Sequence, residues 1–202
     1  MDTDVIRHRV VAAQSLTLQS GDGTHEERKL AHAAQGRTVR PAAVLVLLQQ
    51  EDSGLHVVLT QRTAHLHDHA GQISFPGGRK DDADANLIEA ALREANEEIG
   101  ANAAHIEVIG ALPSYVTITA YEVTPIVAFG QPQSFTCDPF EVADVFKVPL
   151  SHFLDDNQWR RDSFMRAGLR REYWAVPYRE RYIWGATAGM LRTFRDVLVN
   201  AL

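Results

Sequence analysis

Ala42-Ala43-Val44-Leu45-Val46-Leu47-Leu48 is an unbroken apolar run. A strand with one solvated face alternates apolar and polar residues, so an unbroken run marks a strand covered on both faces. A chain organised around it needs a layer on either side of a sheet. Glu51-Asp52-Ser53-Gly54 supplies a turn, and His56 to Thr60 returns as a second strand, so the pair reads as a hairpin. Gln72 to Phe75 is a short strand entering a Gly77-Gly78 turn. His105 to Leu112, Tyr121 to Phe129 and Val142 to Val148 are further strands. Tyr173 to Val176 and Arg181 to Ile183 pair as a hairpin around Pro177. Helices are expected up to Gly100, over Leu150 to Leu154, and from Gly185 to Val199. This order of elements gives an α+β fold, a mixed β-sheet with helices on both faces. Residues 1–37 read as an N-terminal helix or arm, broken at Ser20-Gly21-Asp22-Gly23, and residues 38–202 as the main domain.

The helix before Gly100 carries the chemistry. Asp84 or Asn86 caps its start, and Gly100 stops it. Ile88, Leu92, Ala95 and Ile99 form its core stripe. Glu94, Glu97 and Glu98 fall at i, i+3 and i+4, and so share an adjoining face beside the core. Three carboxylates at that spacing repel one another unless a cation lies between them. A hard divalent ion suits such oxygen ligands. Taken alone, an acidic helix face is more often simply solvated. The glycines just upstream change that balance, because they let backbone approach a ligand closely. Glu89 and Arg93 make an i, i+4 pair, and Arg93 can also fix a glutamate rotamer through its fork geometry.

Other classes are excluded by composition. The net charge is −6, and no Lys/Arg block is dense enough for a nucleic-acid partner. No apolar run reaches a membrane span, and the N-terminus does not resemble a signal peptide, so a cytoplasmic protein is expected. The single cysteine, Cys137, forms no internal disulfide. Asp138 beside it disfavours a thiolate, so it is not read as a nucleophile. The His65, His67, Asp68, His69 cluster fits no common zinc spacing. Trp184 and Tyr182 read as core aromatics rather than a base-stacking platform.

The stretch Arg93-Glu94-Ala95-Asn96-Glu97-Glu98-Ile99-Gly100 resembles the tail of the Nudix box. The front of the box is one residue longer than the pattern, and Asp84 or Ala85 stands where a Glu is expected. Leu59 to Gly78 is similar to the accessory motif of the coenzyme A pyrophosphatase branch. Arg62, Gly71 and Phe75-Pro76-Gly77-Gly78 fall in register, and His67 replaces an arginine.

The resemblance implies the Nudix α/β/α sandwich and a pyrophosphohydrolase. The metal ligands would be Glu94, Glu97, Glu98 and the Gly78 carbonyl, holding Mg2+ or Mn2+, with Arg93 orienting the cluster. Glu141 would add a carboxylate from a loop, with Glu122 a weaker candidate. Arg62, His67, Gly77 and Gly78 would contact substrate. The expected substrate is coenzyme A or acyl-CoA, and a homodimer is compatible with the resemblance. Two rivals stay open: hydrolysis of another nucleoside diphosphate derivative such as ADP-ribose, and a catalytically weak Nudix-fold nucleotide-binding module.

Overall fold

The computed structural model describes residues 1–13, 25–65, 70–166 and 168–200. Its centre is an eight-stranded mixed sheet. The apolar run lies in β1 (Arg40–Glu51), where Ala43 and Leu45 to Leu48 are fully buried. β1 runs parallel to β7 (Tyr121–Gly130) along its length and antiparallel to β2 (Gly54–Arg62) only from Leu48 to Glu51. The expected hairpin is therefore confined to its tip. Beyond it the strands part. The first half of β1 pairs with β4 (Gly77–Arg79), while β2 pairs with β3 (Ile73–Ser74) and β8 (Val142–Pro149). β5 (Ile106–Ala111) and β6 (Tyr115–Val116) pair with β7.

Alternate residues of β1 feed two cores, as a strand buried on both faces must. Ala43, Leu45 and Leu47 face a cluster with Ala91, Ala95 and Ile99 of α3 (Leu87–Ile99). Ala42, Val46 and Leu48 face a larger cluster. That cluster includes residues of α1 (Thr3–Ala13), α4 (Leu150–Leu154) and α5 (Gly185–Val199). Ile6, Val10 and Ala13 of α1 are fully buried there. Arg9 of α1 donates to the carbonyls of Leu198 and Asn200 at 2.7 and 3.0 Å, placing a cation at the negative end of α5. The first helix of the N-terminal segment thus packs into the domain. The second, α2 (His25–Ala33), lies against β6.

Two local expectations are corrected. Ile88 is 41% exposed, and the buried face of α3 comprises Ala90, Ala91, Ala95, Glu98 and Ile99. Alanines let the helix approach β1 and β4 closely, and the rotation this sets turns Ile88 out and Glu98 in. The long hairpin near the C-terminus is β9 (Arg160–Arg166) with β10 (Leu169–Ala175). The pairing expected around Pro177 survives only as isolated bridges, Ala175 with Trp184 and Tyr178 with Arg181. Arg160-Arg161-Asp162-Ser163-Phe164 has no clear alternation, and the ribbon reaches the larger core through Trp174 of β10. No helix among the described residues is long and apolar enough to cross a membrane.

Candidate active site

Asn86 caps α3, accepting from the Ile88 and Glu89 N–H groups at 2.9 and 3.0 Å. Gly100 ends it in the left-handed conformation, φ 66°. Helix geometry then projects Glu94 and Glu98 toward β4, the Gly-Gly strand. Both glycines are required by contact. A Cβ at Gly77, where φ is 147°, would lie 2.4 Å from the Ala43 carbonyl oxygen across the β1–β4 pairing. A Cβ at Gly78 would lie 2.4 Å from Oε2 of Glu94. Gly78 leaves the space in which the Glu94 carboxylate lies.

The outer part of the cluster is organised by Arg93. Its guanidinium takes Asp84 in two parallel bonds, Nε to Oδ1 at 2.9 Å and Nη2 to Oδ2 at 3.0 Å. It also donates to Glu94 Oε1 at 3.1 Å, to Glu97 Oε2 at 2.9 Å and to the Arg79 carbonyl at 3.1 Å. The Arg93 bond, reinforced by the Asp81 N–H, holds the Asp84 carboxyl down at about 2. Asp84 is thus the buried acid that anchors Arg93. Glu89 accepts from the Ala85 N–H at 2.9 Å instead of pairing with Arg93.

The inner part is different. Glu98 is 4% exposed, and it lines the cleft. It accepts from the Gly77 N–H at 3.1 Å, and Arg62 Nη1 stands 3.5 Å away. Arg62 Nη2 stands 3.8 Å from Oε2 of Glu141, so the arginine lies between the two acids. Burial pushes the Glu98 carboxyl up to about 7. The Gly77 N–H and Arg62 oppose that shift, and Glu94 and Glu141 add to it. Burial also raises Glu94, against the pull of Arg93. Thr63 places Glu141: its N–H donates to the Glu141 carbonyl at 3.0 Å and its hydroxyl to the Phe140 carbonyl at 2.8 Å.

Arg62, Gly77, Gly78, Glu94, Glu98 and Glu141 line one cleft of about 1240 Å³. His67 lies outside the described residues. Glu97 is not among the residues that line the cleft, and its side chain is 58% exposed. Glu122 is elsewhere, paired with His25 and Lys29 at 3.0 and 2.7 Å. Trp184, expected in the core, lines the cleft with Phe164 and Tyr173. The ring centroids of Tyr173 and Trp184 are 5.2 Å apart. That wall was not legible beforehand, because it depends on the β9–β10 ribbon reaching back over α5.

Among the described residues no three acids, histidines or cysteines are gathered as a ready ligand set. The donors nevertheless suit a hard cation. Glu94 and Glu141 push the Glu98 carboxyl up, Glu97 and Glu141 push up that of Glu94, and Glu97 is held beside Glu94 by a single arginine. A cation between the carboxylates would remove the repulsion and stabilise both in their charged forms.

Comparison with known proteins agrees with this geometry. The model of the NUDIX domain matches residues 39–167. Two proteins named Nudix hydrolase NudL are each 41% identical over 155 residues, covering 76% of this chain and 80% of theirs. One is from Escherichia coli O1:K1 / APEC, the other from Shigella boydii serotype 18. The solved NUDIX domain of Shewanella oneidensis NrtR, complexed with ADP ribose, is similar at a TM-score of 0.46 and 23% identity. That match covers 65% of this chain and 86% of that one. With a NUDIX domain across its sheet and site and this identity to NudL over most of its length, the chain belongs to the Nudix hydrolase family.

Proposed function

We propose that the protein hydrolyses the pyrophosphate of coenzyme A and its acyl derivatives, giving 3′,5′-ADP and (acyl-)4′-phosphopantetheine. The observation that carries the hydrolytic part is the buried Glu98 carboxylate, held between Gly77, Arg62 and Glu141 at the Gly-Gly edge of a large cleft. The choice of coenzyme A is supported by the register of Arg62, Gly71 and Phe75 to Gly78 with the accessory motif of that branch.

Glu94, Glu97 and Glu98, with the Gly78 carbonyl, would hold Mg2+ or Mn2+. The bound ion supplies charge neutralisation at the pyrophosphate and a lowered pKa for attacking water. Arg93 fixes the rotamers of Glu94 and Glu97 and is itself fixed by Asp84. Glu98 or Glu141 accepts the proton of the attacking water. The water oxygen bonds to phosphorus, the bond to the bridging oxygen breaks, and each product leaves with one phosphate of the former pyrophosphate. Arg62 offers its fork to the pyrophosphate oxygens, drawing away from the two acids it sits between.

The test is incubation of the purified protein with coenzyme A and Mg2+ or Mn2+, with products identified by mass. Appearance of 3′,5′-ADP and 4′-phosphopantetheine is expected. Glu97 has an exposed side chain, so in Glu97→Gln the fold should persist while turnover falls at least about 100-fold. Undiminished metal-dependent hydrolysis in that variant would overturn the assigned ligand set.

A further inference from the structure

Residues 136–141 join the two halves of the inner site. Asp138-Pro139-Phe140-Glu141 is written as a turn: aspartate favours its first position, and proline presets the backbone at its second. The Glu141 N–H donates to the Asp138 carbonyl at 3.2 Å, and the Phe140 N–H to the Asp138 carboxylate at 2.8 Å. The Val142 N–H donates to the same Asp138 carbonyl at 2.8 Å. The turn is thus bonded within itself, and any motion left to it is that of one piece.

One end is fastened to α3. The last carbonyls of a helix have no partner inside it. Here the Thr136 N–H donates to the Ile99 carbonyl and the Asp138 N–H to the Glu98 carbonyl, both at 2.9 Å. Phe135 and Cys137 pack on the smaller core. The backbone of Glu98 is therefore bonded directly to the turn that carries Glu141.

The other end is fastened to β2. The β2–β8 register skips Ala143 beside Arg62, a bulge, and a bulge re-aims the side chains next to it. Past the bulge, Thr63 grips the Phe140–Glu141 peptide with both its N–H and its hydroxyl. Its own carbonyl accepts from the Gly71 N–H at 3.3 Å. Thr63 is buried, whereas Phe140 is exposed and the Glu141 side chain is 44% exposed. A carboxylate on so open a side chain is placed only as well as the backbone it hangs from. Arg62 immediately precedes Thr63, so one clasp sets both the arginine and Glu141 against Glu98.

We propose that Thr63 is a positioning residue for the hydrolysis: its hydroxyl clasps the 138–141 turn to β2, so that Glu141, Glu98 and Arg62 act on the pyrophosphate as one rigid unit. The proposal rests on the hydrolytic part of the proposed function and not on the choice of coenzyme A. Without the hydroxyl, the Phe140 carbonyl loses its partner. An exposed turn regains one by rocking toward water, and that motion carries Glu141 with it. A shift of about 1 Å in a group that contacts the reacting atoms costs up to about 100-fold in rate.

The experiment measures hydrolysis of coenzyme A, or of ADP-ribose if wild type leaves coenzyme A intact, in wild type, Thr63→Val, Thr63→Ser and Glu141→Gln. Thr63→Val keeps the side-chain shape and the backbone bonds. Its kcat should fall at least about 10-fold with KM within about twofold, and Thr63→Ser should restore kcat. Adding Thr63→Val to Glu141→Gln should cost less than about twofold more, because the threonine acts through the glutamate. Amide hydrogen exchange of the metal-free protein is a readout independent of turnover. The Phe140, Glu141 and Val142 amides should exchange about tenfold faster in Thr63→Val and at the wild-type rate in Thr63→Ser. An equal loss of kcat in both backgrounds, or unchanged exchange in Thr63→Val, overturns the positioning role and leaves the hydrolase reading standing. Failure of wild type to cleave either substrate overturns both.

Discussion

The acid row of α3 has an outer and an inner end, and neighbours in the chain fall on opposite sides of the divide. Glu97 has a side chain 58% exposed and is neutralised by Arg93, which also grips Asp84. Glu98 is nearly sealed from water, with one backbone N–H and an arginine at 3.5 Å for company. The outer end is an ion-pair network complete in itself. The inner end carries excess negative charge in a low-dielectric setting, and that is where a cation and a proton transfer have most to gain. The titration of each end records the difference. Asp84 is held down at about 2 by Arg93, whereas burial lifts Glu98 to about 7.

The strongest way to break this comparison is Glu98→Gln. If the inner end does the chemistry, turnover should fall on the order of 1000-fold, by loss of a ligand and a proton acceptor together. A fall of only a few fold would move the chemistry to the outer end. The pH dependence of stability in metal-free protein comes next. A carboxyl raised in the folded state contributes stability that is complete below its unfolded value of 4.5 and lost as pH rises through about 7. The melting temperature should therefore decline over that window, by the equivalent of on the order of 3 kcal/mol, and Glu98→Gln should flatten the decline. Asp84 acts with the opposite sign: its contribution persists above 3.8 and disappears as pH falls through about 2. Thermal melts from about pH 1.5 to 8 read both. The smallest effect expected is from Gly78→Ala, whose methyl group would displace the Glu94 carboxylate and lower turnover about 100-fold. If metal affinity were unchanged in that variant, the placing of Glu94 beside β4 would carry no functional weight.

Much of this arrangement is written locally. Asn86 and Gly100 fix the ends of α3 because an Asn accepts the free N–H groups and a Gly tolerates the left-handed turn. The apolar run of β1 demanded two covering layers and received them. Arg93 lies among the carboxylates, but its main partner is Asp84, nine residues away, rather than Glu89 four residues away. Spacing along a helix identifies which side chains can meet on its own surface, and nothing beyond it.

The sequence by itself determined the apolar run of β1, the ends of α3, the two glycines and the i, i+3, i+4 row of acids, all properties of a few consecutive residues. Tertiary structure alone decided that Glu98 is buried while Glu97 is not. It also brought Arg62 and Glu141 to the same carboxylate and made α2 and the β9–β10 ribbon into walls of the cleft. Those outcomes depend on the rotation and docking of α3 against β1 and β4, and on segments far apart in the chain. A helical period specifies a stripe, but the close packing of small residues such as Ala91 and Ala95 sets which side of that stripe the sheet covers.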